Sequence, residues 1–240
     1  MRLTIPCDDD LTRDLWNGLI EVAAVVPTDW TLIGGQMVHL HGLEHDRTPP
    51  RRSTDLDVIV DVRALTGQPQ AFVEGLSTLG YEIVAVSPGN LGHRFVRGRV
   101  KIDVLLPDGI GGRAPREVLN GVSSIEVPGG TQALNRSVAV DVRTDTRIGT
   151  IQRPTLLGAI LIKARAVDVD DLPAAQREDL AFLLSLVRDP FEMAGELRGR
   201  ERTWLRRRTD LLDADARAWR AIDGGEDGYS ALKILADANE

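Results

Sequence analysis

Apolar residues at Leu11, Leu15, Leu19 and Val22 recur at helical spacing and predict a helix over about 8–25. Asp8, Asp9 and Asp10 supply N-cap candidates, and Pro27 ends the segment. The run Trp30–Ile33 reads as a strand, Gly34-Gly35 as a turn, and Gln36–Leu43 as a helix. Polar residues 44–54, with Pro49 and Pro50, read as a loop. Strand patterns follow at 55–62, 81–86, 93–96, 100–106, 122–127 and 137–142, with a helix over 68–79. Gly98 stands between two of these strands, where a tight turn needs it. Residues 107–121, rich in Gly and Pro, read as a long loop, and Gly129-Gly130 as part of a connection. From Pro154 the pattern is helical, with segments at about 154–168, 172–188, 190–197, 199–213, 214–223 and 228–238. This predicts an α+β protein: a mixed sheet with flanking helices over 1–150, then a helical domain over 151–240.

Composition narrows the class. The 240 residues are 42% hydrophobic and 27% charged, which suits a packed core and excludes a wholly disordered chain. Aromatics are only 4%, so aliphatic residues must fill that core. A net charge of -7 excludes a uniformly basic nucleic-acid binder but leaves room for a local basic patch. The single cysteine, Cys7, excludes an intramolecular disulfide and a Cys-rich zinc site. No apolar run reaches the length of a membrane span, and the acidic start does not resemble a signal peptide. The expectation is a soluble cytoplasmic protein with no membrane partner.

The candidate chemistry lies on two strands. In Arg51-Arg52-Ser53-Thr54-Asp55-Leu56-Asp57-Val58-Ile59-Val60-Asp61, alternation turns Leu56, Val58 and Val60 toward a core. Asp55, Asp57 and Asp61 then share the other face with Ile59. Carboxylates this close repel, and a divalent cation is the usual remedy for hard oxygen ligands. A solvated edge-strand face is the bland alternative. Asp103 projects from an otherwise apolar strand, either as a third ligand beside these two or as an ordinary strand residue paired with Lys101 or Arg99. Three such carboxylates would make a two-metal cluster of the kind used in phosphoryl transfer. Gly34-Gly35, between a strand and a helix, suits a phosphate cradle or simply a tight turn.

Two charges fall on apolar helical faces. Lys163 has Ala159, Ile160, Ala166 and Val167 as its helical neighbours, and Asp179 interrupts a stripe that includes Phe182, Leu183 and Leu186. A buried lysine needs an anionic partner. Asp179 is the obvious one, and the pair reads equally as a structural tie or as part of a substrate site. Secondary candidates are Arg47, Arg51 and Arg52, to meet phosphates or simply to solvate the loop, His93 and Arg94, to face the site or, as the pattern favours, to lie on an exposed hairpin, and Gln132 with Arg136 beyond Gly129-Gly130. The run from Arg198 to Arg208, with Trp204, suits either RNA contact or a solvated basic helix face. His39, His41 and His45 lack further ligands to support a zinc site.

The order of these features resembles the nucleotidyltransferases of the AbiEii/MenT toxin group, within the DNA polymerase β-like nucleotidyltransferase superfamily. The resemblance spans about 30–188 and includes a stretch of 19 residues between Gly35 and Asp55, an insert the toxin group tolerates. It implies a polymerase β-like mixed sheet and Mg²⁺-dependent transfer of NMP from an NTP, releasing pyrophosphate. It assigns Asp55, Asp57 and Asp103 to Mg²⁺, with Asp61 and Asp108 as competitors for the third place. It assigns Gly34, Gly35, Arg52, Ser53, Thr54 and Lys163 to the nucleotide, and Asp179 to orienting Lys163 or the nucleotide. It implies a tRNA or other RNA acceptor and a cognate antitoxin protein. Two rival readings stand beside it: a small-molecule nucleotidyltransferase of the aminoglycoside or lincosamide type, and a non-catalytic nucleotide-binding module.

Overall fold

The computed structural model describes residues 2–62, 68–86, 92–109, 117–119, 122–169 and 173–237. The chain opens with a short strand, β1 (Arg2–Thr4), that the hydrophobic pattern does not announce. Helix α1 (Asp10–Val25) follows, capped by Asp9, whose carboxylate accepts the Thr12 amide at 2.8 Å. Such a cap is worth about 1 kcal/mol. The buried face of α1 carries Leu15, Trp16, Leu19, Ile20, Val22 and Ala23. Strand β2 (Trp30–Ile33) is buried throughout and runs directly into α2 (Gly34–Glu44).

Strand β3 (Leu56–Val60) lies inside the main sheet. Helix α3 (Gln68–Thr78), strands β4 (Glu82–Val86) and β5 (Gly92–Arg97), and strand β6 (Val100–Pro107) complete the region. The sheet order is β2-β3-β6-β5-β4. β3 and β6 are parallel, and the other neighbours along this path are antiparallel. Gly98, at φ +59°, and Arg99 make a two-residue turn between β5 and β6. That turn pairs Arg97 with Val100 and fixes the whole hairpin register.

Beyond β6, β7 (Glu117–Leu119) pairs with β8 (Val122–Ser123), while β9 (Glu126–Val127) pairs with β6. The expected single strand over 122–127 is thus broken in two. Ser124 marks the break, donating its hydroxyl to the Val104 carbonyl at 2.5 Å. Of the long loop expected at 107–121, residues 110–116 and 120–121 lie outside the described residues. At Gly129-Gly130 the connection becomes a short helix, α4 (Gly130–Asn135).

Strands β10 (Ser137–Arg143) and β11 (Ile148–Pro154) form a second sheet with β1. β11 was not expected, and the domain boundary placed at 150 falls within it. It lies against α1 and β2. The helical part comprises α5 (Leu156–Ala166), α6 (Pro173–Leu184), α7 (Pro190–Gly195), α8 (Glu201–Arg206), α9 (Arg217–Arg220) and α10 (Gly225–Asp237). The helices expected at 199–213 and 214–223 are much shorter. Between them Asp213 accepts the Asp215 amide at 2.9 Å, a local bond that competes with helix. Leu211 is buried there and its carbonyl takes the Trp219 indole N–H at 3.0 Å. One hydrophobic cluster runs from Leu3 to Ala236, so sheet and helices share a core. No helix among the described residues is long and apolar enough to cross a membrane.

Candidate active site

The sheet register lines up three charged residues on adjacent strands. Asp57 on β3 is opposite Asp103 on β6, and Asp103 is opposite Arg94 on β5. Neighbouring strands lie about 4.8 Å apart, so the three side chains stand in one row across the sheet. Asp103 is buried, and Arg94 grips it with two hydrogen bonds, Nε to Oδ1 at 2.8 Å and Nη2 to Oδ2 at 2.7 Å. The same Nη2 lies 3.9 Å from Asp55 Oδ2. These contacts hold the Arg94 proton more firmly than usual, chiefly through the Asp103 hydrogen bond. Arg94, half-exposed on its hairpin, therefore reaches the site, the less favoured of its two sequence readings. Arg99 instead pairs with Asp14 at 2.9 Å.

Asp55 sits just before β3 and is aimed by its neighbours. The Ser53 hydroxyl donates to Asp55 Oδ1 at 2.7 Å, and Gln36 holds the Ser53 carbonyl at 2.8 Å. Asp57 has no ion pair among the described residues. Burial, then the Asp55 and Asp103 charges, push its carboxyl up to about 7, against the pull of Lys163 and Arg51. Asp57 therefore holds its negative charge poorly in the folded protein without a cation.

The two glycines are explained by close approach. Gly34 has φ +68°, and a Cβ there would lie 1.9 Å from Asp57 Oδ2. A Cβ on Gly35 would meet Ser53 Cβ at 2.6 Å. Both glycines open α2 directly against the carboxylate strand, so Asp57 and Ser53 pack on the bare backbone where a side chain would clash.

Lys163 enters from α5 and Asp179 from α6, both buried. Lys163 Nζ donates to Asp179 Oδ2 at 2.7 Å and to Gln176 Oε1 at 2.8 Å. Arg51 adds a second cation on Asp179, at 3.0 and 2.6 Å. The expected Lys163–Asp179 pair is present, and Arg51 turns it into a three-residue knot. A cleft of about 230 Å³ joins this knot to Asp57, lined also by Gly34, Lys163 and Gln176 with an apolar wall that includes Ile33 and Leu105.

Other candidates stand elsewhere. Arg52 is 74% exposed and faces Asp8 at 3.4 Å, and Thr54 is exposed. Arg47 bonds the Asp223 carbonyl at 2.5 Å. Arg136 is not a phosphate ligand here: Glu201 takes its guanidinium at 2.9 and 2.8 Å. His41 is buried, its ring nitrogen 3.2 Å from Arg153, and burial lowers its pKa well below the usual histidine range. Among the described residues no three His, Cys, Asp or Glu side chains form a metal cage.

The donor set nonetheless suits Mg²⁺ in part. Asp55 and Asp57 offer hard oxygen ligands, and the strained charge on Asp57 is what a divalent cation would relieve. Asp57 lines the cleft and can be reached from it. Asp103, with both oxygens on Arg94, is already matched by a cation.

No family model matches the chain, and no curated protein matches it. Among solved structures, it is similar to an antigenic nucleotidyltransferase-like protein from Paracoccidioides brasiliensis, with a TM-score of 0.52 and 13% identity. The match covers 94% of this chain and 98% of that one. The chain thus has a mixed α+β, nucleotidyltransferase-like fold.

Proposed function

We propose that the protein is an Mg²⁺-dependent nucleotidyltransferase that moves NMP from an NTP to an acceptor hydroxyl and releases pyrophosphate. The observation that carries this reading is the convergence of Asp57 and Lys163 on one cleft beside the Gly34 turn, with Asp55 close enough to act on Asp57, on this fold. Asp55 and Asp57 would hold the ion, which when bound screens the phosphate charge and favours attack at phosphorus. Ser53 keeps Asp55 aimed through its 2.7 Å hydrogen bond. Gly34, at the start of α2, lines the cleft and would present that helix N-terminus to the phosphate oxygens. Lys163, held by Asp179 and Gln176, presents a fixed positive charge to the phosphates. Arg51 and Asp179 tie the loop before β3 to α6, so carboxylates and lysine keep a fixed separation.

The acceptor we propose is RNA, with tRNA first, and the role that of a toxin restrained by an antitoxin protein. This finer reading rests on the resemblance in motif order described above. The test is to incubate the protein with Mg²⁺, each labelled NTP and total tRNA, beside Asp57→Ala. Transfer should fall about a thousandfold or more in that variant while its circular dichroism stays unchanged. Transfer persisting in Asp57→Ala would overturn the enzyme reading. Label on an aminoglycoside or lincosamide, with none on RNA, would overturn the RNA acceptor alone.

A further inference from the structure

We propose that Arg94 is a built-in cation that occupies one of the two positive positions of the site, so that the chain binds one divalent metal ion and not two. The inference rests on the nucleotidyltransferase reading above and deepens it. The hairpin turn at Gly98-Arg99 sets Arg94 directly opposite Asp103. Both carboxylate oxygens of Asp103 then accept from one guanidinium, at 2.8 and 2.7 Å. A metal ion could use Asp103 only by displacing a bidentate hydrogen-bonded pair in which the carboxylate is buried and the guanidinium half-exposed, and charge-assisted bidentate pairs are among the stronger polar contacts a protein makes. Arg94 also leans toward Asp55, at 3.9 Å, which places its charge between the outer two carboxylates.

Charge balance points the same way. With an ion bound and Asp57 ionised by it, Asp55, Asp57 and Asp103 would carry three negative charges against the one positive charge of Arg94. The remainder is what a single divalent ion neutralises. A second ion at Asp103 would meet the guanidinium at close range, with like charges facing one another. Arginine also keeps its proton across the whole working pH range, so this charge cannot be titrated away. An ion held by Asp55 and Asp57 meets the guanidinium only at the looser 3.9 Å Asp55 contact, and Asp57 lines the cleft with no ion pair among the described residues. Arg94 acts here as a positioning residue: it fixes Asp103 and leaves Asp55 and Asp57 to the metal.

The experiment counts ions. The full chain is titrated with Mn²⁺, and free aqueous Mn²⁺ is read by electron paramagnetic resonance. Wild type should bind one ion per chain. Asp57→Asn should weaken that ion by more than about 100-fold, while Asp103→Asn should keep one ion with a change under about tenfold. Arg94→Met should gain a second ion, and the double variant Arg94→Met/Asp103→Asn should lose it. Two ions in wild type, or loss of the ion in Asp103→Asn, would overturn the built-in cation and leave the enzyme reading standing. No ion in wild type, or an unaffected Asp57→Asn, would overturn both. Should Arg94→Met fail to fold, the Asp103→Asn arm decides alone.

Discussion

Two regions of this molecule are crowded with charge, and they use it in opposite ways. The first is the row across β3, β6 and β5, where Asp57, Asp103 and Arg94 stand in register with Asp55 beside them. The second is the arginine-rich run at Arg198–Arg208 in the helical layer. In the run, Arg202 donates to the carbonyls of Leu235 and Ala194 at 2.8 and 3.1 Å, and Arg206 to that of Ala236 at 2.6 Å. Leu235 and Ala236 lie in the last turn of α10, whose carbonyls have no partners within the helix. Arg208 is buried against Asp168, and Arg165 stacks over Trp204 at 5.1 Å. These arginines fasten helices together, and Trp204 serves that packing. In the row, by contrast, Asp57 has no ion pair among the described residues, and burial, with the Asp55 and Asp103 charges added, raises its pKa. Density of charge marks neither region as functional. The informative quantity is how much of it the protein itself has matched.

The comparison can be broken where the two uses meet, at the knot of Lys163, Asp179 and Arg51. Asp179→Ala would leave Lys163 buried with Gln176 as its remaining partner. The expected cost is about 3–5 kcal/mol in urea unfolding, together with lost transfer. A cost near zero would mean that this pair is solvated and that the site rests on other contacts.

Arg136→Ala tests the fastening side. Its partner Glu201 is buried and also accepts the Arg198 amide at 2.8 Å. Stability should fall by about 2–3 kcal/mol, with the kcat/KM of the folded fraction unchanged. A selective rise in KM for RNA would return Arg136 to the acceptor site.

Asp57→Asn should act with the opposite sign. The folded state binds the Asp57 proton more tightly than the unfolded state, whose carboxyl titrates near 4. The stability this contributes is present below pH 4 and is lost as pH rises to about 7. Without metal, the melting temperature of Asp57→Asn should therefore gain on wild type across that window and stay ahead at pH 8. A gap that stays constant from pH 4 to 8 would contradict the raised pKa. The smallest effect is expected for Arg52→Ala, an exposed side chain at 3.4 Å from exposed Asp8. Its stability should move by less than about 0.5 kcal/mol. A several-fold rise in KM for NTP would show that Arg52 does reach the nucleotide.

Much of the sheet was legible because its strands are apolar on at least one face, and the carboxylates stand out against that background. Lys163 and Asp179 were legible for the same reason, as charges on apolar helix faces. β11 was not, because its buried positions include Arg153, whose charge is met by Glu44 from α2. Periodicity treats such a residue as surface. Arg51 and Arg94 were misjudged because a loop arginine and a strand arginine look alike whether solvated or paired. For Arg94 the signal was nonetheless present. A two-residue turn at Gly98-Arg99 fixes Arg97 opposite Val100, and counting back three places on one strand and forward three on the other brings Arg94 to Asp103. For Arg51 no count along the chain could find Asp179, 128 residues away.

The turn at Gly98-Arg99 therefore works as a length standard. Replacing its residues alters local strain, whereas changing their number alters arithmetic. One residue more or fewer would shift the pairing by a step and turn one strand's side chains to the opposite face. The guanidinium would then part from Asp103 even though every residue of the row was still encoded. In that sense the electrostatics of the site depend on parity, and a single-codon insertion far smaller than any domain could leave Asp103 without its guanidinium.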